Sequence, residues 1–273
     1  MSMKEKSVLC LGAAGFHCMA YTEWGAPDAA RTLVCVHGLT RNGRDFDTIA
    51  AALEDGYRVI CPDIVGRGRS DWLRDGTQYQ NPTYLADLVT LLARAGANEV
   101  DWLGTSMGGI LGMLMASMPG SPIKRLIIND VGPFLPKPAL ERIASYTGTA
   151  PDFDDIGVLE AYLREVHAPF GDLTDQQWRH MAEASSREVD GGKVALAYDP
   201  AIGDNFRAGP LGDVDMWGEW DAIRCPTLVL RGESSDLLLS EHAEEMTRRG
   251  PKAELAEITG CGHAPALMDP EQI

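Results

Sequence analysis

The chain has 273 residues, 45% of them hydrophobic and 23% charged, which suits one large α/β domain with an insertion and can build a sizeable core. Its 40 acidic against 24 basic residues give a net charge of −16 at pH 7, which argues against a nucleic-acid partner and reads more simply as solubility. No apolar run approaches the ~20 residues of a membrane span, and Met1-Ser2-Met3-Lys4-Glu5-Lys6 opens no secretory leader, so a cytoplasmic protein without a membrane partner is expected.

In chain order, the first clear strand is the apolar run over 32–36, which ends in His37-Gly38. Phe46, Ile49, Ala50 and Leu53 then recur at helical spacing. A second apolar strand over 57–63 leads into the turn Gly66-Arg67-Gly68-Arg69-Ser70. Continuous apolar runs bounded by turn residues suit strands buried on both faces. Asn81-Pro82 opens a helix, with Asn81 as the expected cap and Pro82 at the first position, where its missing N–H costs nothing. Leu85, Leu88, Val89 and Leu92 form its apolar stripe. The next strand, over 100–103, runs into Gly104-Thr105-Ser106-Met107-Gly108, with a helical pattern over 110–117. This alternation predicts an open, mostly parallel sheet with helices on both faces.

A further strand is predicted over 123–130. From 133 to 215 the strand pattern stops and helical signals replace it, over 139–146, 158–167 and 175–187. Thr174 caps the last of these, with Gln177 in a capping-box arrangement. The sheet resumes over 226–232, followed by a helix over 240–249, a last strand over 253–258, and Gly260-Cys261-Gly262-His263. The expected organisation is a core of 1–132 and 216–273, with 133–215 as a helical cap over the C-terminal edge of the sheet.

The Gly-x-Ser-x-Gly at 104–108 carries the chemistry. A serine on a tight strand-to-helix turn is held exposed, and larger side chains at 104 and 108 would collide across so sharp a bend. The following helix points its positive end at the serine, favouring a developing negative charge. The pentapeptide alone is weak evidence; the surrounding order of strands gives it meaning.

With His37-Gly38, Asp63-Ile64-Val65-Gly66-Arg67-Gly68-Arg69-Ser70, the elbow at Ser106, Gly232-Glu233-Ser234-Ser235-Asp236 and Gly260-Cys261-Gly262-His263 in this order, the chain resembles the α/β-hydrolases of the capped esterase–lactonase type. The resemblance covers about 17–270. It implies an α/β-hydrolase fold, a cofactor-free and metal-free serine hydrolase, and a triad running serine, acid, histidine along the chain. The nucleophile then falls on Ser106, the acid on Asp236 and the base on His263, with backbone N–H groups of Leu39 and Met107 holding the oxyanion. Asp130 also follows a strand and is the alternative acid, although a structural turn with Gly132-Pro133 is the preferred reading there. The resemblance also implies a C-terminal helix beyond His263.

A serine hydroxyl needs an imidazole to take its proton, and that imidazole needs its far nitrogen held by a carboxylate. The expected activity is hydrolysis of small carboxylic esters through an acyl-enzyme. The same triad also serves lactonases and enol-lactonases, whose elbow Leu103-Gly104-Thr105-Ser106-Met107-Gly108-Gly109 resembles, and C–C bond hydrolases. A non-catalytic small-molecule receptor is the reading from another class. Arg41 is a candidate partner for a substrate carboxylate, and Trp178 and Trp217 are candidates for an apolar substrate wall. His37 reads as a buried brace for the oxyanion loop, and Asp63 with Arg67 and Arg69 as an ion-pair turn. The six cysteines show no paired spacing and the six histidines no zinc spacing, so reduced, packed thiols are expected.

Overall fold

The chain opens with a hairpin of β1 (Lys4–Gly12) and β2 (Gly15–Trp24). Its alternating burial puts Val8 and Cys10 inward and leaves Leu9 and Leu11 facing out. In the computed structural model, which describes residues 3–149 and 151–273, this hairpin forms one edge of the sheet. Met1, Ser2 and Ala150 lie outside the described residues, and with them part of the N-terminal reading and one position of the expected cap.

After the hairpin come β3 (Thr32–Val36), α1 (Asp47–Leu53), β4 (Arg58–Pro62), α2 (Asn81–Ala95), β5 (Val100–Thr105), α3 (Met107–Ser117) and β6 (Ile123–Asn129). Residues 133–215 hold β7 (Phe134–Leu135), α4 (Lys137–Tyr146), β8 (Asp152–Phe153), α5 (Ile156–Val166), α6 (Asp175–Ala184), β9 (Ser186–Val189), β10 (Lys193–Leu196), α7 (Asp204–Arg207) and β11 (Val214–Asp215). The chain ends with α8 (Trp217–Ala222), β12 (Thr227–Gly232), α9 (Ser240–Met246) and β13 (Glu254–Ile258).

Eight strands form the main sheet in the order β1-β2-β4-β3-β5-β6-β12-β13. β2 is antiparallel to β1 and β4, and every pairing from β4 to β13 is parallel. Successive residues of β3 separate onto two cores. Val34 and Val36 pack with Leu88, Leu111 and Trp220 on one face, whereas Leu33 and Cys35 pack with Ile49 and Ala50 of α1 on the other. Burial on both faces explains why these strands read as short apolar runs. The chain leaves β3 toward β4 and returns to β5 on β3's opposite side. The ends of β3 and β5 therefore flank the switch point, where open α/β sheets place their ligands.

Three details differ from the sequence expectation. Gln80, not Asn81, is the cap position of α2, and Asn81 is its first helical residue. The 133–215 segment is not purely helical: β8, β10 and β9 make a three-stranded antiparallel sheet, and β11 pairs with β7. The third helix of this segment ends at Ala184, where the chain turns into β9. The capping box at Thr174 and Gln177 is formed as expected. Phe153, Leu159, Leu163, Trp178 and Met181 give the segment a separate apolar cluster.

Candidate active site

Ser106 sits between β5 and α3 with φ 52° and ψ −114°, a backbone conformation that costs free energy for any residue with a Cβ. The neighbours hold it there. A Cβ on Gly104 would lie 2.1 Å from the carbonyl oxygen of Gly108, and one on Gly108 would lie 1.9 Å from that of Val36. Only glycine fits at either place, so the sharp elbow is enforced by the backbones that crowd it.

The hydroxyl of Ser106 lies 3.0 Å from His263 Nε2, and His263 Nδ1 lies 2.8 Å from Asp130 Oδ2. Asp130 is fully buried at the end of β6, with φ 58°. Its Oδ1 accepts the Gly232 N–H at 2.8 Å, and its Oδ2 accepts the Ser235 hydroxyl at 2.6 Å. These bonds hold the carboxylate aimed at the imidazole, and a carboxylate at Nδ1 fixes the proton of His263 there and leaves Nε2 to face the serine. Asn129 donates through Nδ2 to Thr105 Oγ1 at 3.1 Å and to the carbonyl of Pro265 at 2.8 Å, tying the elbow to the loop that carries His263.

The acid position corrects the sequence expectation. Asp236 does not reach His263. It is about half exposed and forms an ion pair with Arg142 of α4, whose Nη2 lies 2.8 Å from its Oδ1. In the loop after β12, Ser235 points inward, bonds Asp130 and accepts the Leu238 N–H, so the next residue points out. Asp130 is not merely a turn residue.

The loop after β3 faces the serine. A Cβ on Gly38 would lie 3.7 Å from Ser106 Cβ, so the loop that leads into Leu39 packs directly against the elbow that precedes Met107. A helix's first-turn amides have no intrahelical acceptor. Two buried side chains brace this loop. His37 Nε2 accepts the Ile64 N–H at 2.9 Å, so Nδ1 carries the proton and donates to the Gly38 carbonyl at 2.7 Å. Burial, with the positive charges of Arg67 and Arg41, pushes the His37 pKa down to about 3, and the ring is neutral at neutral pH.

Arg67 is the residue that sequence reading missed. Expected in an ion pair with Asp63, it is instead fully buried. It donates to the Leu39 carbonyl at 2.8 Å and to the Val65 carbonyl and Tyr84 hydroxyl, each at 2.8 Å. Its guanidinium also stacks 4.8 Å from the Tyr84 ring centroid. Arg69 supplies the partner of Asp63 instead. The signal was the Gly-Arg-Gly setting: the positive φ at Gly66 and Gly68 turns the arginine between them inward.

Ser106 opens into two cavities. One, of about 60 Å³, is partly polar and includes Arg41, Asp45, Arg142, Tyr146, His167 and His263 in its wall. The other, of about 220 Å³, is apolar and is walled by Ile110, Leu135, Leu140, Ile202, Phe206 and Leu237 among others. Arg41 thus lines the site as expected. Trp178 and Trp217 do not. Trp178 is buried in the apolar cluster of 133–215, and Trp217 lies beneath Arg249, 4.3 Å from ring centroid to guanidinium carbon.

Away from this site, Cys10, His17 and Asp87 bring three donor atoms within 4.8 Å of one another. His17 Nε2 and Asp87 Oδ2 are 2.8 Å apart and pin the hairpin to α2. Burial pushes the Cys10 thiol up to about 12, so at neutral pH it remains a protonated, packed group.

The arrangement agrees with what the chain is similar to. Residues 33–273 match the model of the alpha/beta hydrolase family. The chain belongs to that family. A 3-hydroxybutyrate-oligomer hydrolase from Cupriavidus necator is 48% identical over 97% of this chain and 94% of its own length. A hydrolase from Rickettsia typhi superimposes with a TM-score of 0.92 at 33% identity, covering 100% of this chain and 96% of that one. An alpha/beta hydrolase from Novosphingobium aromaticivorans gives 0.88 at 36%, covering 99% and 95%. Fold class and enzyme class follow: this family member is an ester hydrolase built on the α/β-hydrolase sheet. No helix among the described residues is long and apolar enough to cross a membrane.

Proposed function

We propose that the protein hydrolyses short carboxylic esters through an acyl-Ser106 intermediate, with His263 as base and Asp130 as the acid that orients it. The observation that carries this reading is the continuous relay of 3.0 Å and 2.8 Å from Ser106 through His263 to Asp130. His263 Nε2 takes the hydroxyl proton as Ser106 Oγ attacks the ester carbonyl carbon. The carbonyl oxygen becomes an oxyanion and accepts from the Leu39 and Met107 N–H groups. The tetrahedral adduct collapses and expels the alkoxide, which receives the proton from Nε2. Water then loses a proton to Nε2 as it attacks the acyl carbonyl, and the second tetrahedral adduct collapses by breaking its bond to Ser106 Oγ, which takes the proton back from Nε2 and leaves the free acid. Asp130 holds the Nδ1–H and stabilises the imidazolium that forms twice in the cycle. Loss of one oxyanion donor in such a site costs about 2.7–4 kcal/mol of transition-state stabilisation.

The two cavities that meet at Ser106 give the ester's halves separate places, and the 133–215 segment acts as the cap over them. The similarity to a 3-hydroxybutyrate-oligomer hydrolase supports short hydroxyalkanoate oligomers as the substrate class. The test is turnover of 3-hydroxybutyrate dimer and trimer beside a p-nitrophenyl ester series, with Ser106→Ala as control. The variant is expected to lose a factor of about 10⁴–10⁶, and an organophosphonate should label Ser106 alone. Labelling elsewhere sinks the nucleophile assignment, and binding of these esters without turnover supports a receptor instead.

A further inference from the structure

We propose that Arg41 and His167 form a carboxylate-binding end to the partly polar recess that opens at Ser106, so that the substrate carries a free carboxylate on its alcohol portion. This rests on the ester-hydrolase reading above and sharpens it: the recess takes the leaving group, and the apolar cavity takes the acyl group.

Arg41 lies two residues past Leu39 and is only 5% exposed. Its Nε and Nη2 hold the two oxygens of Asp45, at 2.9 and 2.6 Å, which fixes the plane of the guanidinium. Its Nη1 has no hydrogen-bond partner among the described residues. His167, at the end of α5, is 8% exposed. Its ring stacks on Phe170 with centroids 4.5 Å apart, and among the described residues neither ring nitrogen has a hydrogen-bond partner. The two side chains share the wall of the Ser106 recess and meet again in its narrow extension beside Tyr146, Tyr162 and Tyr198.

Among the described residues, neither the Arg41 Nη1 nor a ring nitrogen of His167 is one of the sealed-off side-chain atoms that lack a partner; both side chains line the recess, where a ligand can reach them. Both remain open toward one small space. Burial, together with the charges of Arg41 and His263, holds the His167 pKa well below the usual imidazole value. A neutral imidazole offers one N–H, and Arg41 offers the Nη1 edge of a permanent cation. Two donors arriving from different elements match the two oxygens of a carboxylate, and charge-assisted bonds of this kind are the strong ones. Asp45 and Arg41 form a bidentate ion pair, so the remaining guanidinium edge acts on a ligand as a directional N–H donor of a charge-paired group. The chain's net charge of −16 repels anions as a whole, so an anionic substrate needs such a local site. An oligomer of a hydroxy acid has its one free carboxylate on the alcohol side of its last ester bond. The subsite therefore selects the carboxyl end of the oligomer.

The test is calorimetric binding to the Ser106→Ala protein of 3-hydroxybutyrate dimer as the free acid and as its methyl ester. The acid should bind at least about tenfold tighter than the methyl ester. That ratio should collapse toward one when Arg41→Met is added, and should fall when His167→Leu is added. Because Arg41→Met strips Asp45 of its partner, Arg41→Met with Asp45→Leu serves where the single change does not fold. Equal binding of acid and methyl ester overturns the proposal, as does an acid preference that survives loss of Arg41. Acid-selective binding in a wild-type protein that turns over neither the dimer nor p-nitrophenyl butyrate would refute the hydrolytic reading while supporting the subsite.

Discussion

Asp130 shows how much of a catalytic assignment depends on where one side chain faces. It and Asp236 both follow strands of the sheet, β6 and β12, and both stand in loops at the same edge. Sequence order, taken with the family resemblance, pointed to Asp236. The difference lies at a single neighbour: Ser235 turns inward to donate to Asp130, which sends Asp236 outward to Arg142. Loop side chains have no period from which direction can be read, unlike those of a strand. That Ser106 and His263 come together was legible because each is placed by something local, the elbow glycines for Ser106 and the final strand for His263. The two outcomes differ sharply in rate. Asp130→Asn is expected to lower kcat/KM by about 10⁴, because the amide holds the imidazole in the wrong tautomer. Asp236→Asn breaks a half-exposed ion pair of the kind worth about 0–1 kcal/mol, and its kcat/KM should stay within about tenfold of wild type. Rates measured on variants with matched melting temperatures decide it; a dead Asp236→Asn beside an active Asp130→Asn would overturn the relay.

At the scale of elements, the core strands and helices were readable because each repeats a short-range pattern: short apolar runs bounded by turn residues for β3, β4, β5 and β12, and 3.6-residue stripes for α2, α4, α5 and α6. The small sheets within 133–215 were not. β8 and β7 have two residues each, too few to show alternation, and their partners are far along the chain. Such strands exist only once tertiary contacts have formed. The same segment is joined to the core by particular bonds. Asn42 Nδ2 donates to the Ala184 carbonyl at 2.8 Å, and His180 Nε2 on α6 lies 3.2 Å from Asp47 Oδ2 on α1. The bond to Asp47 raises the His180 pKa above its usual value, against the opposing effect of burial. A histidine whose folded pKa is raised stabilises fully below the unfolded pKa of ~6.5, and that stabilisation is lost as pH rises through the folded value. His180→Gln should therefore lower Tm at pH 5.5–6 and leave it nearly unchanged at pH 8.5. A gap that is constant with pH, or larger at pH 8.5, would show that this tether does not titrate.

For the whole molecule, two other histidines set a stability trend of opposite sign. His37, behind the oxyanion loop, and His167, at the end of the partly polar recess, are both buried, and burial with nearby arginine charge lowers the pKa of each. In the folded protein both stay neutral as pH falls below 6.5, whereas in the unfolded chain both take up a proton. The folded state then binds fewer protons, so stability that is complete above ~6.5 declines as pH falls toward the folded values, for His37 about 3. Each such group contributes a slope approaching about 1.4 kcal/mol per pH unit once the unfolded histidine is protonated. Buried carboxyls act against this trend. Burial raises the pKa of Asp63 and of Asp87, and a group that takes up its proton more readily when folded stabilises on acidification. The histidine contribution must therefore be isolated by difference. Urea unfolding of wild type, His167→Gln and His37→Gln at pH 7.5, 6.5, 5.5 and 5 provides it. Relative to wild type, each variant should gain stability as pH falls through this range, by an amount that approaches one proton per variant at the acid end. His167→Gln gives the cleaner reading because that ring makes no hydrogen bond among the described residues, whereas His37→Gln also loosens the Gly38 carbonyl and should start from a lower stability at pH 7.5. Parallel curves for wild type and His167→Gln would mean that His167 titrates alike in both states, and would remove burial as the control on its charge.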